Sequence, residues 1–149
     1  MSQVDDFLAT VMPRFTEAET ALHNGDPEPR MKMWSQQDPV TVFGAAMSVA
    51  GWAAVAPVFE RLGSAFSNCT EYRNELVAAG ASGDLAYVVA IEHTTASMHG
   101  APPAPYRLRV TTVFRREDGE WKVAHRHADT LGSETADTLK DRLFPATNG

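Results

Sequence analysis

A chain of 149 residues has room for one domain around one hydrophobic core, and a hydrophobic content of 44% is ordinary for a globular protein. The net charge of -6 argues against nucleic acid as the main partner, because phosphate binding needs a basic surface. The single cysteine, Cys69, excludes an internal disulfide and a cysteine-based zinc cluster. The first residues, Met1 to Thr10, are acidic and lack the positive start and apolar run of a signal peptide. No apolar stretch reaches the length of a membrane span. The expectation is a cytoplasmic protein with no membrane partner.

The predicted elements begin with a helix. Val4, Phe7, Leu8, Val11, Phe15, Ala18 and Leu22 recur at helical spacing. Ser2 is placed to cap it, Asp5 and Asp6 suit the first turn, and Asn24-Gly25 reads as its stop. Pro13 lies inside the run and predicts a kink. Asp26-Pro27 then reads as a cap followed by proline at the first position of a short helix through Met31 and Trp34. Val40 to Phe43 is a short strand. Trp52, Val55, Phe59, Leu62 and Phe66 mark a third helix, with Pro57 separating its first turn.

Four strands follow, at Glu71–Ala79, Leu85–Met98, Tyr106–Arg116 and Trp121–Thr130. Turns at 80–84 and 117–119 and a proline-rich loop at 99–105 join them into a meander. The length of Leu85–Met98 predicts a bend or bulge in it. A last short helix is expected in the tail from about residue 133 to Phe144. Helices first and antiparallel strands later define one α+β domain over 1–149.

This order, together with particular segments, resembles the nuclear transport factor 2-like superfamily, in its SnoaL-like, ketosteroid-isomerase-like branch. The segments are His23-Asn24-Gly25-Asp26, Trp34 with Asp38 to Gly44, Gly51-Trp52, Leu108 to Thr111, and Asp118 to Asp129. The resemblance covers nearly the whole chain, and the final hairpin is its most specific part. It implies a cone-shaped fold with N-terminal helices packed on a strongly curved, mainly antiparallel sheet, a pocket between the two layers, and frequent homodimers. It does not imply one activity, since the superfamily holds isomerases, cyclases, hydratases, dehydratases and non-catalytic binders. The first helix here has no tyrosine to match the tyrosine–aspartic acid oxyanion hole of ketosteroid isomerases.

The candidate site comes from the last hairpin. A three-residue loop, Glu117-Asp118-Gly119, pairs Arg109 with His127, Thr111 with His125 and Val113 with Val123. One face then carries Arg109, Thr111, His125, His127 and Asp129, whereas a two-residue Asp-Gly loop shifts the pairing. Directed into a pocket, His127 and His125 would transfer protons, Asp129 or Glu92 would orient an imidazole, and Arg109 would hold a carboxylate or an enolate. Trp34, Phe43, Trp52 and Tyr106 are candidate ligand-binding wall residues beside Thr111, although core packing explains the aromatic ones equally well. His125-x-His127 with Glu92 or Asp129 has the composition of a two-histidine, one-carboxylate metal site, but the neighbouring arginine disfavours a cation, so no metal and no cofactor are expected. Asp38 reads as a turn residue before Pro39, and the same polar set also reads as a hydrogen-bond ladder between strands.

The functional expectation is a small-molecule pocket protein, acting without a cofactor as an isomerase, cyclase or dehydratase by proton transfer next to a carbonyl. The alternative is a non-catalytic ligand-binding or dimerisation module. The partner is a small organic ligand. A homodimer is expected because Leu108, Val110, Thr112, Phe114, Ala124 and Ala128 would make an apolar outer face.

Overall fold

The computed structural model describes residues 2–131 and 140–145. Its elements run α1 (Gln3–Leu22), α2 (Glu28–Met33), β1 (Thr41–Phe43), β2 (Ser48–Ala50), α3 (Trp52–Ala65), β3 (Phe66–Ser82), β4 (Leu85–Met98), β5 (Ala104–Glu117) and β6 (Glu120–Thr130). The six strands form one curved sheet in the order β2-β1-β6-β5-β4-β3. Every pairing is antiparallel except β1 with β6. This is the α+β architecture that the element order predicts. Most of the predicted tail helix lies outside the described residues, which show a helical turn over 140–143.

Local chemistry explains the element ends. Ser2 and Asp5 form a reciprocal capping box on α1, satisfying backbone donors that have no partner inside the helix. The helix runs unbroken through Pro13 and closes at His23, with Gly25 at φ 95° where a side chain would be strained. Asp26 accepts from the Glu28 amide at 3.1 Å, opening α2 after Pro27. The helix α3 also runs unbroken from Trp52, correcting the separate first turn expected at Pro57. Asp38 is not a mere turn residue: its Oδ1 accepts from the Trp52 amide at 2.9 Å, at the N-terminus of α3. The strand β2 was missed because three residues carry too little periodicity to read.

The core lies between α1, α3 and the inner face of the sheet. Phe7, Val11 and Phe15 of α1 are buried, and Phe7 meets Phe114 and Trp121 edge-on at centroid distances of 5.0 and 5.1 Å. Trp34 packs on Phe59. Along β4 the buried side chains alternate, and their chemistry changes along the strand. Ala86, Val88 and Ala90 are apolar, while Glu92 and Thr94 are polar. The inner face therefore has an apolar end and a polar end.

The last hairpin departs from its expected register twice. Glu117 pairs with Glu120, so the loop is the two-residue Asp118-Gly119, with φ of 50° and 81°. A bulge then lets Val113 pair with His125 and Phe114 with Val123. Arg109 consequently faces Asp129 and Thr111 faces His127. The two shifts together move the pairing by an even number of residues, so the polar set stays on one face. The irregularity expected in β4 falls on its partner β3, whose register slips between Ser67 and Glu71 and between Leu76 and Ala78.

This turn makes a direct prediction. Nothing lies within 4 Å of a Cβ built on Gly119, so a substitution there costs backbone strain alone. Gly119→Val should lower stability by about 1 kcal/mol or more in urea unfolding, because a branched residue resists positive φ. An unchanged midpoint would refute the turn conformation.

Candidate functional site

Arg109, Thr111, His127 and Asp129 are exposed on the outer face of the sheet, and His125 is half-buried there. This corrects the expectation that they point into a pocket. The reason is the competing stripe on the same strands. Val110, Thr112, Phe114, Val123 and Ala128 are buried against the helices, and only one of two alternating faces can take that place. Of the residues expected to form an apolar outer face, Val110, Thr112, Phe114 and Ala128 are thus buried inside the protomer. The surface argument for a homodimer does not apply to them.

On the outer face His127 Nε2 lies 2.9 Å from Asp129 Oδ2, and His125 Nδ1 lies 2.6 Å from Thr41 Oγ1. Phe43 stands edge-on to both imidazoles, and burial with the neighbouring His127 lowers the His125 pKa. Arg109, Thr111, His127 and Asp129 border an open groove of about 320 Å³ floored by Val89 and Ile91. Trp34 is core, and the half-buried Trp52 packs on Phe59. Tyr106 and Glu92 go elsewhere.

The polar end of the inner face brings those two together with residues the sequence did not single out. His23, the C-cap of α1, is 3% exposed. Its Nδ1 lies 2.7 Å from the Glu19 carbonyl oxygen, which can only accept, so Nδ1 carries the proton and Nε2 holds a lone pair. The Tyr106 hydroxyl meets that Nε2. The rings of Phe66, Tyr72 and Tyr106 surround the imidazole.

Two buried ion pairs frame the group. Arg30 is held by both carboxylate oxygens of Glu19, with Nε at 2.9 Å from Oε1. Arg126 holds Glu92 at 2.8 and 2.7 Å. Glu92 is therefore the partner of an arginine and not of an imidazole. Both pairs are two-pronged, the geometry that offsets the cost of burying charge.

The electrostatics follow from burial. Desolvation lowers the His23 pKa against the pull of Glu19, so the imidazole favours its neutral form. Desolvation and the charge of Glu19 push the Tyr106 phenol up to about 12, and Tyr72 is pushed well above its usual value by burial and Glu92. Burial opposes the Glu19 charge, but Arg30 and Arg126 hold its carboxyl below the ordinary range. Desolvation likewise opposes the Arg126 charge, yet Glu92 raises its pKa. The result is a neutral imidazole whose free nitrogen faces a neutral phenol, the arrangement of a proton acceptor next to a proton carrier.

Tyr106 sits in a strand whose other face is open to solvent. With Thr94 it borders an open groove of about 450 Å³, whose other walls include His93, Pro105, Arg107 and Thr130. Among the described residues no three His, Cys, Asp or Glu side chains are placed to hold a metal ion, and no helix is long and apolar enough to cross a membrane.

His23 carried one sequence signal, its place in the His23-Asn24-Gly25-Asp26 segment. A histidine just before a helix stop is otherwise an ordinary cap, and its partner Tyr106 lies 83 residues away.

A family model described as a SnoaL-like domain matches residues 11–129. Among solved structures, the chain is similar to a protein of the nuclear transport factor 2-like family from Streptomyces avermitilis, at 20% identity over 87% of this chain and 99% of that one, with a TM-score of 0.73. It is also similar to a superfamily member from Salmonella enterica serovar Typhimurium (18% identity, 85% and 94% covered, TM-score 0.67). A third is an uncharacterized protein with a cystatin-like fold from Caulobacter vibrioides (16% identity, 95% and 99% covered, TM-score 0.65). No curated protein matches the chain.

Proposed function

The chain belongs to the SnoaL-like domain family, and from that premise we propose that it is a cofactor-independent enzyme that moves a proton next to the carbonyl of a small organic substrate. The observation that carries this reading is the buried, neutral His23 facing the Tyr106 hydroxyl at the polar end of the inner face. The provisional dehydratase name of the Streptomyces avermitilis relative agrees with it.

In this reading a substrate meets the Tyr106 phenol at the polar end of the inner face. The phenol gives its proton to His23 Nε2 as its oxygen takes the proton from the carbon beside the carbonyl, leaving an enolate and an imidazolium. The imidazolium returns a proton through the phenol. Delivery to a different carbon isomerises the substrate, and delivery to a departing hydroxyl eliminates water. The Glu19 carbonyl holds the imidazole in the required tautomer throughout. Because free Tyr106 ionises only near pH 12, the phenol works as a relay for His23 and not as a standing base.

A second reading, a non-catalytic binder, is favoured by the tight interior. The space between Met12, Phe15, Asn74 and Glu92 is too narrow for a water molecule. Deuterium exchange separates the two. The protein in D₂O, with a panel of enolisable ketones and β-hydroxy ketones, should catalyse exchange at the carbon next to the carbonyl, read by NMR. No exchange across the panel, with a small molecule retained in native mass spectrometry, would select the binder.

A further inference from the structure

Proton transfer to His23 puts a positive charge where water does not reach. When Nε2 takes the phenol proton of Tyr106, the buried neutral ring becomes an imidazolium. Such a charge is unfavourable in an interior unless an opposite charge stands beside it. At rest the surroundings are balanced: Arg30 closes on Glu19 and Arg126 closes on Glu92, two cations on two anions. The position of these four charges relative to the ring decides whether the added proton is tolerated.

Glu19 stands apart from the other three. It lies one helical turn before His23 on α1, a spacing that puts two side chains on the same face. The ring is also tied to it, since Nδ1 donates to the Glu19 carbonyl at 2.7 Å. Glu19 cannot turn away, because Arg30 of α2 holds both of its carboxylate oxygens, and Arg30 is itself fixed over the Phe59 ring at 5.0 Å. The two side chains are 3% and 6% exposed, so water screens their charges little.

The other groups around the ring do not compete. The pull of Glu19 on the imidazolium exceeds the push of Arg30 and the weaker pull of Glu92 of β4. Arg126 of β6 is closed on Glu92. Tyr72 of β3 and Tyr106 of β5 are neutral phenols at neutral pH. Burial by itself would favour the protonated form of Glu19, and Arg30 is the first of the groups that hold it ionised.

We propose that Glu19 is a positioning residue with two separate tasks. Its backbone carbonyl fixes the tautomer of His23, and its buried carboxylate is the counter-charge that stabilises the imidazolium formed during proton transfer. This rests on the proton-transfer reading above and adds to it what makes a buried base usable. The proton passes from the Tyr106 oxygen to Nε2, whereas Glu19 meets the other ring nitrogen, so Glu19 exchanges no proton.

The two tasks separate by mutation, because a side-chain change leaves the backbone carbonyl in place. Glu19→Gln keeps the length and an accepting oxygen and removes the charge. NMR titration of the His23 ring in the intact chain should show its midpoint fall by about one pH unit or more, the usual effect of losing a close opposite charge. A ring that stays neutral down to acid unfolding counts as such a fall. The exchange rate at saturating ketone should drop about tenfold or more with KM little changed. Glu19→Asp, which keeps the charge, should lie closer to wild type in both readouts. The double variant Glu19→Leu with Arg30→Met replaces the whole pair with apolar side chains and should retain most of the stability. Were the pair merely structural, midpoint and rate would recover with the fold; with the counter-charge gone, both stay below wild type. This variant also carries the test should Glu19→Gln fail to fold. An unchanged or raised midpoint in Glu19→Gln, or a wild-type midpoint in the double variant, would overturn the proposal. The midpoint is read without substrate, so a wild-type protein that exchanges no ketone refutes the proton-transfer reading separately.

Discussion

Arg126→Met or Glu92→Gln should lower the unfolding free energy by about 3–5 kcal/mol, the usual cost of stranding half of a buried ion pair. Glu92 is 2% and Arg126 5% exposed, and the two share a pair of short hydrogen bonds, so neither has water to turn to. The double change Glu92→Leu with Arg126→Met should recover most of that loss, because the pair's net contribution over apolar residues of similar size is small. Urea unfolding of the three variants decides it. Single losses below about 1 kcal/mol would mean that the pair is hydrated and that the interior is wetter than described.

His23→Gln should slow proton exchange by about 10²–10⁴-fold, the range of one acid–base group, with the fold retained. Tyr106→Phe should slow it as well, since the relay needs the hydroxyl. The pH dependence has a definite sign. Burial depresses the His23 pKa from its ordinary 6.5, so just below that pH the unfolded chain binds more protons than the folded one. Stability from this group is therefore complete above about pH 6.5 and is lost as pH falls through the folded pKa. The exchange rate should be level at neutral pH and fall in acid, with an apparent pKa below 6.5. A midpoint above that value, or full activity in His23→Gln, would remove His23 from the reaction.

Much of the architecture was legible because it is local. The Ser2 cap, the Gly25 stop, the Asp26-Pro27 start and the alternation of the long strands all sit within a few residues of their causes. The hairpin loop was less legible. An Asp-Gly pair fits a two-residue turn, but a three-residue loop gathers the histidines more attractively, and no local signal announced the bulge at Ala124.

By itself, then, the sequence determined the order of elements and which side chains share a face. Arg109, Thr111, His125, His127 and Asp129 stay together because strand alternation has period two and the two register errors sum to an even shift. Period two does not say which face turns inward. That was decided when Phe114, Trp121 and Val123 met Phe7, Val11 and Phe15, since burying the apolar stripe releases more water from apolar surface than burying the polar one. The site was decided in the same step. His23 and Tyr106, 83 residues apart, become neighbours when α1 packs over the sheet, while Glu92 and Arg126, 34 apart, meet across its inner face because β4 and β6 both pair with β5.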